Sequence, residues 1–89
     1  MLKIKATTRF EKELKRAVRR GQGEKKIKEV MKKLAAEIPL EPKHRDHKLT
    51  GEFSDCRECH ITPDWLLVYR LTDTYISFER TGSHSDLFK

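Results

Sequence analysis

The sequence predicts a single α+β domain in which a two-helix hairpin packs on a small, mainly antiparallel β-sheet, in the order β-α-α-β-β-β-β. With 89 residues, the chain is long enough for one domain, spanning 1–89, and too short for two. Apolar residues recur at helical spacing through the first half. In the last third, the apolar runs Trp65 to Leu71 and Tyr75 to Phe78 are separated by a short turn, which is typical of neighbouring strands.

The first element predicted is a short strand, because Leu2 and Ile4 alternate with lysines and so place apolar side chains on one face. A helix follows. Thr8 and Glu11 have the spacing of a capping box, in which each side chain bonds the other residue's backbone N–H. The apolar stripe of this helix consists of Phe10, Leu14, Ala17 and Val18.

A second helix is predicted after a flexible turn at Gly21 and Gly23, and Pro39 ends it. Its apolar stripe follows i, i+3, i+4, i+7, i+8, i+11. The residues of that stripe are Ile27, Val30, Met31, Leu34, Ala35 and Ile38. Its other face is predicted to carry Lys25, Lys26, Lys28, Lys32 and Lys33.

The second half predicts an antiparallel meander. After an irregular connection comes a short strand around 47–49. The segment from 53 to 61 alternates between two faces, but not cleanly, which indicates a β-bulge. Turns are expected at 62–64, where Pro63 presets the backbone, and at 72–73. The residues after Gly82 are expected to form a short tail.

The charge is strongly uneven along the chain. The net charge is +6, but residues 1–48 hold 16 Lys/Arg against 7 Asp/Glu, whereas residues 49–89 hold 4 against 7. A basic half favours a polyanionic partner such as nucleic acid, although a solvated helix surface is the alternative. Five consecutive apolar residues, Trp65 to Tyr69, are the longest such run. We therefore expect no membrane association and, without a signal-peptide pattern, a cytoplasmic protein.

The cysteines form a C-x-x-C-H pattern, Cys56 to His60, which is the attachment motif of c-type haem. The pattern lies in a predicted strand, where Cys56 and Cys59 point to opposite faces. This geometry disfavours haem attachment and a zinc site alike. Two reduced cysteines that pack as small side chains are the favoured interpretation.

Several ionisable residues lie at the ends of the predicted strands. Metal-free RNA cleavage needs a base for the 2′-hydroxyl, an acid for the leaving 5′-oxygen and a cation for the phosphate. A single histidine at a strand end more often satisfies backbone groups, but a converging set favours catalysis. The candidate catalytic residues are His47, His60, Asp64, Arg80 and His84.

Three motifs carry a resemblance to a known family. They are D-H-K-L-T-G at 46–51, H-I-T-P-D-W-L-L-V-Y at 60–69, and F-E-R-T-G-S-H-S-D-L-F at 78–88. Together they resemble the YafQ-type toxins of the RelE/ParE superfamily, across essentially the whole chain. The resemblance implies a RelE-like fold and a toxin that cuts mRNA in the ribosomal A site. It also implies a cognate antitoxin as partner, together with the ribosome and mRNA, and no cofactor.

The resemblance also implies roles for individual residues. It suggests His84 as general acid, Arg80 on the scissile phosphate, and Asp64 or His47 as base. His60 belongs to the same catalytic set. Trp65 and Phe88 are implied as substrate-binding residues, although Trp65 by its sequence context fits the core better. The lysines of the second helix are expected to contact ribosomal RNA.

Two other functions fit parts of the sequence. A toxin of the same fold could act on DNA gyrase, but relatives of that kind lack this histidine set. A non-catalytic RNA-binding module would need only the basic helices. Cleavage of an mRNA, measured with ribosomes translating it and without ribosomes, separates the three functions.

Overall fold

The computed structural model describes residues 1–51 and 54–88 and has the predicted α+β architecture. The helices are α1 (Thr8–Arg19), α2 (Glu24–Ala35) and α3 (His84–Leu87), with a 3-10 turn at Pro42–His44. The strands are β1 (Lys3–Ala6), β2 (His47–Lys48), β3 (Cys56–Thr62), β4 (Trp65–Leu71) and β5 (Tyr75–Gly82). They form one sheet in the order β1-β5-β4-β3-β2, in which only the β1–β5 pair is parallel.

The start of α1 differs by one residue from the prediction. Its N-cap is Thr7, whose side chain accepts a hydrogen bond from the Phe10 N–H at 2.9 Å, so the capping box predicted at Thr8 is wrong. The Thr7 hydroxyl also donates to the Glu79 carbonyl at 2.9 Å. One side chain thus begins the helix and ties it to β5, a contact distant in sequence that spacing alone could not reveal.

Helix α2 ends earlier than predicted. It stops at Ala35, and Glu37 takes a positive φ of 60°, the left-handed conformation that often terminates helices. Ile38 is therefore outside the apolar stripe and is 51% exposed. The chain leaves the helix before Pro39 is reached.

The β3-β4-β5 meander is confirmed, and so is the bulge, which shifts the β3–β4 register between His60 and Thr62. A second register shift, between Val68 and Tyr69, was not predicted. Phe53, part of the predicted alternation, lies outside the described residues.

Apolar side chains pack on both faces of the sheet. The face under the helices carries the larger cluster, which includes Phe10, Ile27, Trp65 and Phe78. Cys59 belongs to it, and its burial raises the pKa of the thiol to about 12, so it is protonated at neutral pH. Cys56 belongs to the smaller cluster on the other face. The prediction that the two cysteines point to opposite faces is confirmed.

The residues after Gly82 form the short helix α3 rather than an irregular tail. Ser83 caps it by accepting from the Asp86 N–H, and the Asp86 carboxylate accepts from the Ser83 N–H in return. Leu87 then packs on the smaller cluster. None of the helices in the described ranges is long and apolar enough to cross a membrane.

Candidate active site

Two of the predicted histidines meet at the end of the sheet. His60 is near the end of β3 and His84 is the first residue of α3, and their ring centroids are 5.7 Å apart. Phe88 follows one helical turn after His84, with the ring centroids 6.4 Å apart. The β3 strand and the β5–α3 junction therefore bring together residues that are 24 or more positions apart in sequence.

The position of His84 depends on the tight junction at Gly82. A Cβ atom at Gly82 would lie 3.0 Å from the Asp86 Cβ and 3.1 Å from its Oδ2. Only glycine lets the Asp86 carboxylate approach closely enough to cap the helix at Ser83. The local sequence G-S-H-S-D thus fixes the backbone position of His84 at the start of α3.

Glu58 is a member of this cluster that the sequence analysis missed. It lies on β3, two residues before His60, and is only 5% exposed. Its Oε2 lies 3.2 Å from Nε2 of His47, and the two residues are partners in the β2–β3 register. The alternation of side chains along the predicted strand places Glu58 on the same face as His60, so the sequence did contain a signal that Glu58 lies near this histidine.

The hydrogen bonds of His47 require a shared proton. Its Nδ1 lies 2.6 Å from the Arg45 carbonyl, which can only accept, so Nδ1 carries a hydrogen. In a neutral ring with its hydrogen on Nδ1, Nε2 is an acceptor, and so is an ionised Glu58 carboxylate, so the two groups could not bond each other. Their 3.2 Å separation is therefore explained by a proton between them. The His47–Glu58 pair is thus a site that can take and release a proton.

The other oxygen of Glu58, Oε1, is buried and has no hydrogen-bond partner among the described residues. Leaving a buried carboxylate oxygen unpaired is costly, and such groups are uncommon outside functional sites. Glu58 is therefore positioned to accept a proton or bind a ligand.

Glu58, His60 and His84 could also hold a metal ion. Each offers one ligand atom, and these atoms lie within 4.8 Å of one another. Imidazole and carboxylate donors suit transition metals such as zinc and copper.

The loop before β2 is fixed by residues outside the cluster. His44 Nδ1 lies 2.7 Å from the His60 carbonyl, which holds the β3 backbone at the site. Asp46 accepts from the Tyr69 hydroxyl at 2.6 Å and from the Arg57 Nε at 3.3 Å. Burial, and then the bond to Asp46, raise the pKa of Tyr69 far above its usual value. Tyr69 is thus a permanent donor that anchors the residue next to His47.

Asp64 is beside the cluster but open to solvent. Its Oδ1 lies 4.0 Å from Nδ1 of His84, and its side chain is 82% exposed. A small rotation of either side chain would bring the two atoms within hydrogen-bonding distance. Asp64 can therefore orient the His84 ring.

Arg80 is held against α1 instead of facing the histidines. Its Nε and Nη2 donate to the two carboxylate oxygens of Glu13 at 3.2 and 2.6 Å. Both side chains are nearly buried, with 13% and 6% exposed. In the described part of the chain, no hydrogen bond or ion pair joins Arg80 to a histidine.

Trp65 is not available to stack on a substrate. It is 1% exposed in the core, and its indole N–H donates to the Thr81 hydroxyl at 2.9 Å. That hydroxyl donates in turn to the Leu66 carbonyl at 2.7 Å. Its assignment as a substrate contact is corrected: Trp65 braces the strand ends below the site. Phe88, in contrast, is 39% exposed.

The five lysines of α2 lie on the face opposite its buried apolar stripe, as predicted, but they line different grooves. Lys26 and Lys33 line a cleft of about 430 Å³ with His44 and Pro63. Lys28 lines the groove between α1 and α2 and pairs with Glu24 at 3.9 Å. By helical spacing, Lys25 and Lys32 lie on the side of Lys28.

The chain matches one family model, described as a bacterial toxin of type II toxin–antitoxin system, YafQ, over residues 2–89. Among curated proteins, it is 38% identical over 86 residues to the mRNA interferase toxin YafQ of Escherichia coli K12. That match covers 96% of this chain and 94% of the relative.

Solved structures of similar proteins have the same fold over the whole chain. In the E. coli DinJ–YafQ complex, a chain 37% identical to this one superposes with a TM-score of 0.94 and full coverage of both chains. A metal-bound toxin from Helicobacter pylori is 44% identical and has a TM-score of 0.92. That match covers 99% of this chain and 100% of the other.

Proposed function

Because the chain belongs to the YafQ family of toxins from bacterial type II toxin–antitoxin systems, and is therefore an endoribonuclease of the mRNA interferase kind, we propose that it cleaves mRNA in the ribosomal A site by metal-free acid–base chemistry. The observation that carries the chemistry is the convergence of the proton-sharing His47–Glu58 pair with His60 and His84.

The His47–Glu58 pair supplies the general base. Sequence reasoning left Asp64 and His47 as alternatives. Because a proton already lies between His47 Nε2 and Glu58 Oε2, the atom that can accept the 2′-hydroxyl proton is the unpartnered Glu58 Oε1, and His47 orients this carboxylate. The base takes the 2′-hydroxyl proton as the 2′-oxygen attacks the adjacent phosphorus, which would leave a 2′,3′-cyclic phosphate.

His84 supplies the general acid. Its side chain is 57% exposed at the edge of the cluster, so it can reach the leaving 5′-oxygen. Asp64, 4.0 Å away, orients the ring, and a ring nitrogen of His60 lies within 4.8 Å of both His84 and Glu58. The acid protonates the 5′-oxygen as the P–O5′ bond breaks.

Arg80 stabilises the charge that develops on the phosphate. Two of its N–H groups are held by Glu13, which fixes the guanidinium plane and leaves the other donors for a phosphate oxygen. A preoriented cation lowers the barrier because it does not need to reorganise during the reaction.

Phe88, Lys26 and Lys33 are the residues proposed to contact RNA outside the histidine cluster. Phe88 is partly exposed next to His84 and offers a ring on which a base can stack. Lys26 and Lys33 line the cleft beside the β3–β4 turn, where they can contact ribosomal RNA phosphates.

A metal ion bound by Glu58, His60 and His84 could act as a Lewis acid on a phosphate oxygen. Coordination would also occupy the lone pairs that the proton transfers require. We therefore propose that such an ion inhibits the reaction.

A cognate antitoxin is the protein partner. The similar E. coli toxin was solved in complex with DinJ. This chain's net charge of +6 is complementary to an acidic segment, so an antitoxin that carries one would bind by charge as well as shape. Co-purification of a small second protein from the native host would test the pairing, and recovery of the chain alone would count against it.

Cleavage of a defined mRNA by the purified chain, with and without ribosomes, tests the function. We expect cleavage within the A-site codon only when ribosomes carry the message. Supercoiling by gyrase, measured in parallel, should be unaffected. Inhibition of gyrase would favour the gyrase-directed alternative, and RNA binding without cleavage would favour the non-catalytic module.

A further inference from the structure

A second cationic surface runs along α1, away from the lysines of α2. Arg9, Lys12 and Arg16 recur at i, i+3 and i+7, and so lie on one face of the helix. Together with Arg80, Glu13 and Asp86 they line a groove of about 330 Å³. We call Arg9, Lys12, Arg16 and Arg80 the α1 groove cations.

The carboxylates of this groove are already engaged. Glu13 is 6% exposed; it receives two bonds from Arg80 and lies 3.3 Å from the Thr81 N–H. Asp86 caps α3 at Ser83 and lies 3.5 Å from Arg20. Asp86 is close enough to Arg16 to interact with it electrostatically, but neither acid forms an ion pair with Arg9, Lys12 or Arg16.

The three helix cations have no acidic partner of their own. Among the described residues, no carboxylate lies within ion-pair distance of Arg9, Lys12 or Arg16. With four cations against two carboxylates, the groove presents an excess of positive charge on a rigid helix, which is the electrostatic footprint of a polyanion site.

We infer that the α1 groove cations bind an RNA sugar–phosphate backbone that continues from the active site. The inference rests on the proposed function, because Arg80 belongs both to the groove and to the proposed phosphate contact. Seven residues of helix separate Arg9 from Arg16, so the cations cover about 10 Å of backbone. Asp86, two residues after His84 in α3, also lines the groove, so the groove adjoins the helix that carries the proposed acid. This proximity favours RNA over an acidic protein segment as the occupant.

The RNA could be the message or ribosomal RNA, and two binding measurements separate these sources. The first uses a fluorescent 2′-O-methyl oligonucleotide, which lacks the nucleophile and cannot be cut. The second uses vacant ribosomes, which offer ribosomal RNA without a message. Both are titrated at several salt concentrations, because each phosphate contact contributes to the salt dependence of binding.

The test variant is R9Q/K12Q/R16Q, and the matched control is K3Q/K5Q/K15Q, which loses the same charge from exposed positions on β1 and on the side of α1 that faces α2. We expect the α1 variant to bind at least about tenfold more weakly and to show a salt slope smaller by about 2. The control should stay within about twofold of wild type. Loss with the oligonucleotide identifies the message, and loss only with vacant ribosomes identifies ribosomal RNA.

Several outcomes would overturn the inference. Equal weakening in both triple variants would mean a nonspecific charge effect. Unchanged RNA binding in the α1 variant, with or without weaker binding of a purified antitoxin, would exclude RNA from the groove.

Thermal melting checks the fold, and R9Q/R16Q replaces the triple variant if that fails to fold. Failure of the proposed function is seen separately, as absence of ribosome-dependent cleavage by the wild-type chain.

Discussion

At the scale of single residues, the chemistry depends on a carboxylate that sequence reasoning had not singled out. Glu58 and His60 are two positions apart on one strand, so it was predictable that they share a face. The meeting of Glu58 with His47 was not, because it depends on the register of the two-residue strand β2 against β3. Such registers are set by tertiary packing rather than by local sequence.

Glu58→Gln tests this carboxylate. The amide keeps the size of the side chain but cannot take up the substrate's proton, so we expect single-turnover cleavage to fall about 10²-fold or more. Asp55→Asn is the control, since Asp55 is exposed and bonds Arg70 away from the site. A wild-type rate in Glu58→Gln would exclude the carboxylate from catalysis.

The same three side chains lead to a prediction about metals. Stoichiometric Zn²⁺ or Cu²⁺ should inhibit cleavage, because coordination occupies the lone pairs of Glu58, His60 and His84. EDTA equimolar to the added Zn²⁺ or Cu²⁺, with Mg²⁺ in excess for the ribosomes, should restore the rate, and Glu58→Gln should weaken metal binding measured by calorimetry. Metal-stimulated cleavage that EDTA abolishes would contradict the metal-free mechanism.

At the scale of elements, α3 is the least predictable part of the site from sequence. Its four residues are too few to show helical periodicity, and the segment resembles a tail. In retrospect, the Ser83–Asp86 spacing is that of a capping box with Asp in place of Glu. Similarly, the cap of α1 is Thr7, since tertiary contact with Glu79 favours it over its neighbour Thr8.

Removing the α3 cap should loosen His84. Ser83→Ala is expected to destabilise the short helix by about 1 kcal/mol and to reduce cleavage, while ribosome binding persists. His84 ring NMR signals should broaden or shift. Ser54→Ala, at an exposed turn, is the control. Full activity with unshifted His84 signals would show that the cap does not position the ring.

The pH dependence of this cap follows from Asp86. The bond from the Ser83 N–H lowers the pKa of its carboxyl below the ordinary value, so its stabilisation is present above about pH 4 and is lost as the pH falls through the folded-state pKa. Between pH 6 and 8 the cap charge is constant. A pH dependence of cleavage in that range therefore does not come from this cap.

At the scale of the whole molecule, the ion pair of Glu13 with Arg80 joins the first helix to the last strand across 67 positions. The helices, the meander and its bulge were predictable from periodicity. This pairing was not, since charge signs do not identify partners. The pairing also holds the Arg80 guanidinium against Glu13 of α1.

Glu13→Gln should be strongly destabilising. It leaves the Arg80 guanidinium, 13% exposed, without its compensating charge, and breaking such a pair typically costs about 3–5 kcal/mol. Urea unfolding measures the change. Glu11→Gln, at an exposed position on the same helix, should cost less than about 1 kcal/mol. Equal stability of the two variants would show that the pair contributes little.

The central claim is that His84 is the acid of a ribosome-dependent cleavage reaction. Its most direct test is single-turnover cleavage of an A-site message by His84→Gln at saturating ribosomes, with ribosome binding and thermal melting measured on the same preparation. The mechanism predicts a loss of about 10²–10⁴-fold in rate, with binding and stability unchanged. Cleavage at close to the wild-type rate would contradict the assignment.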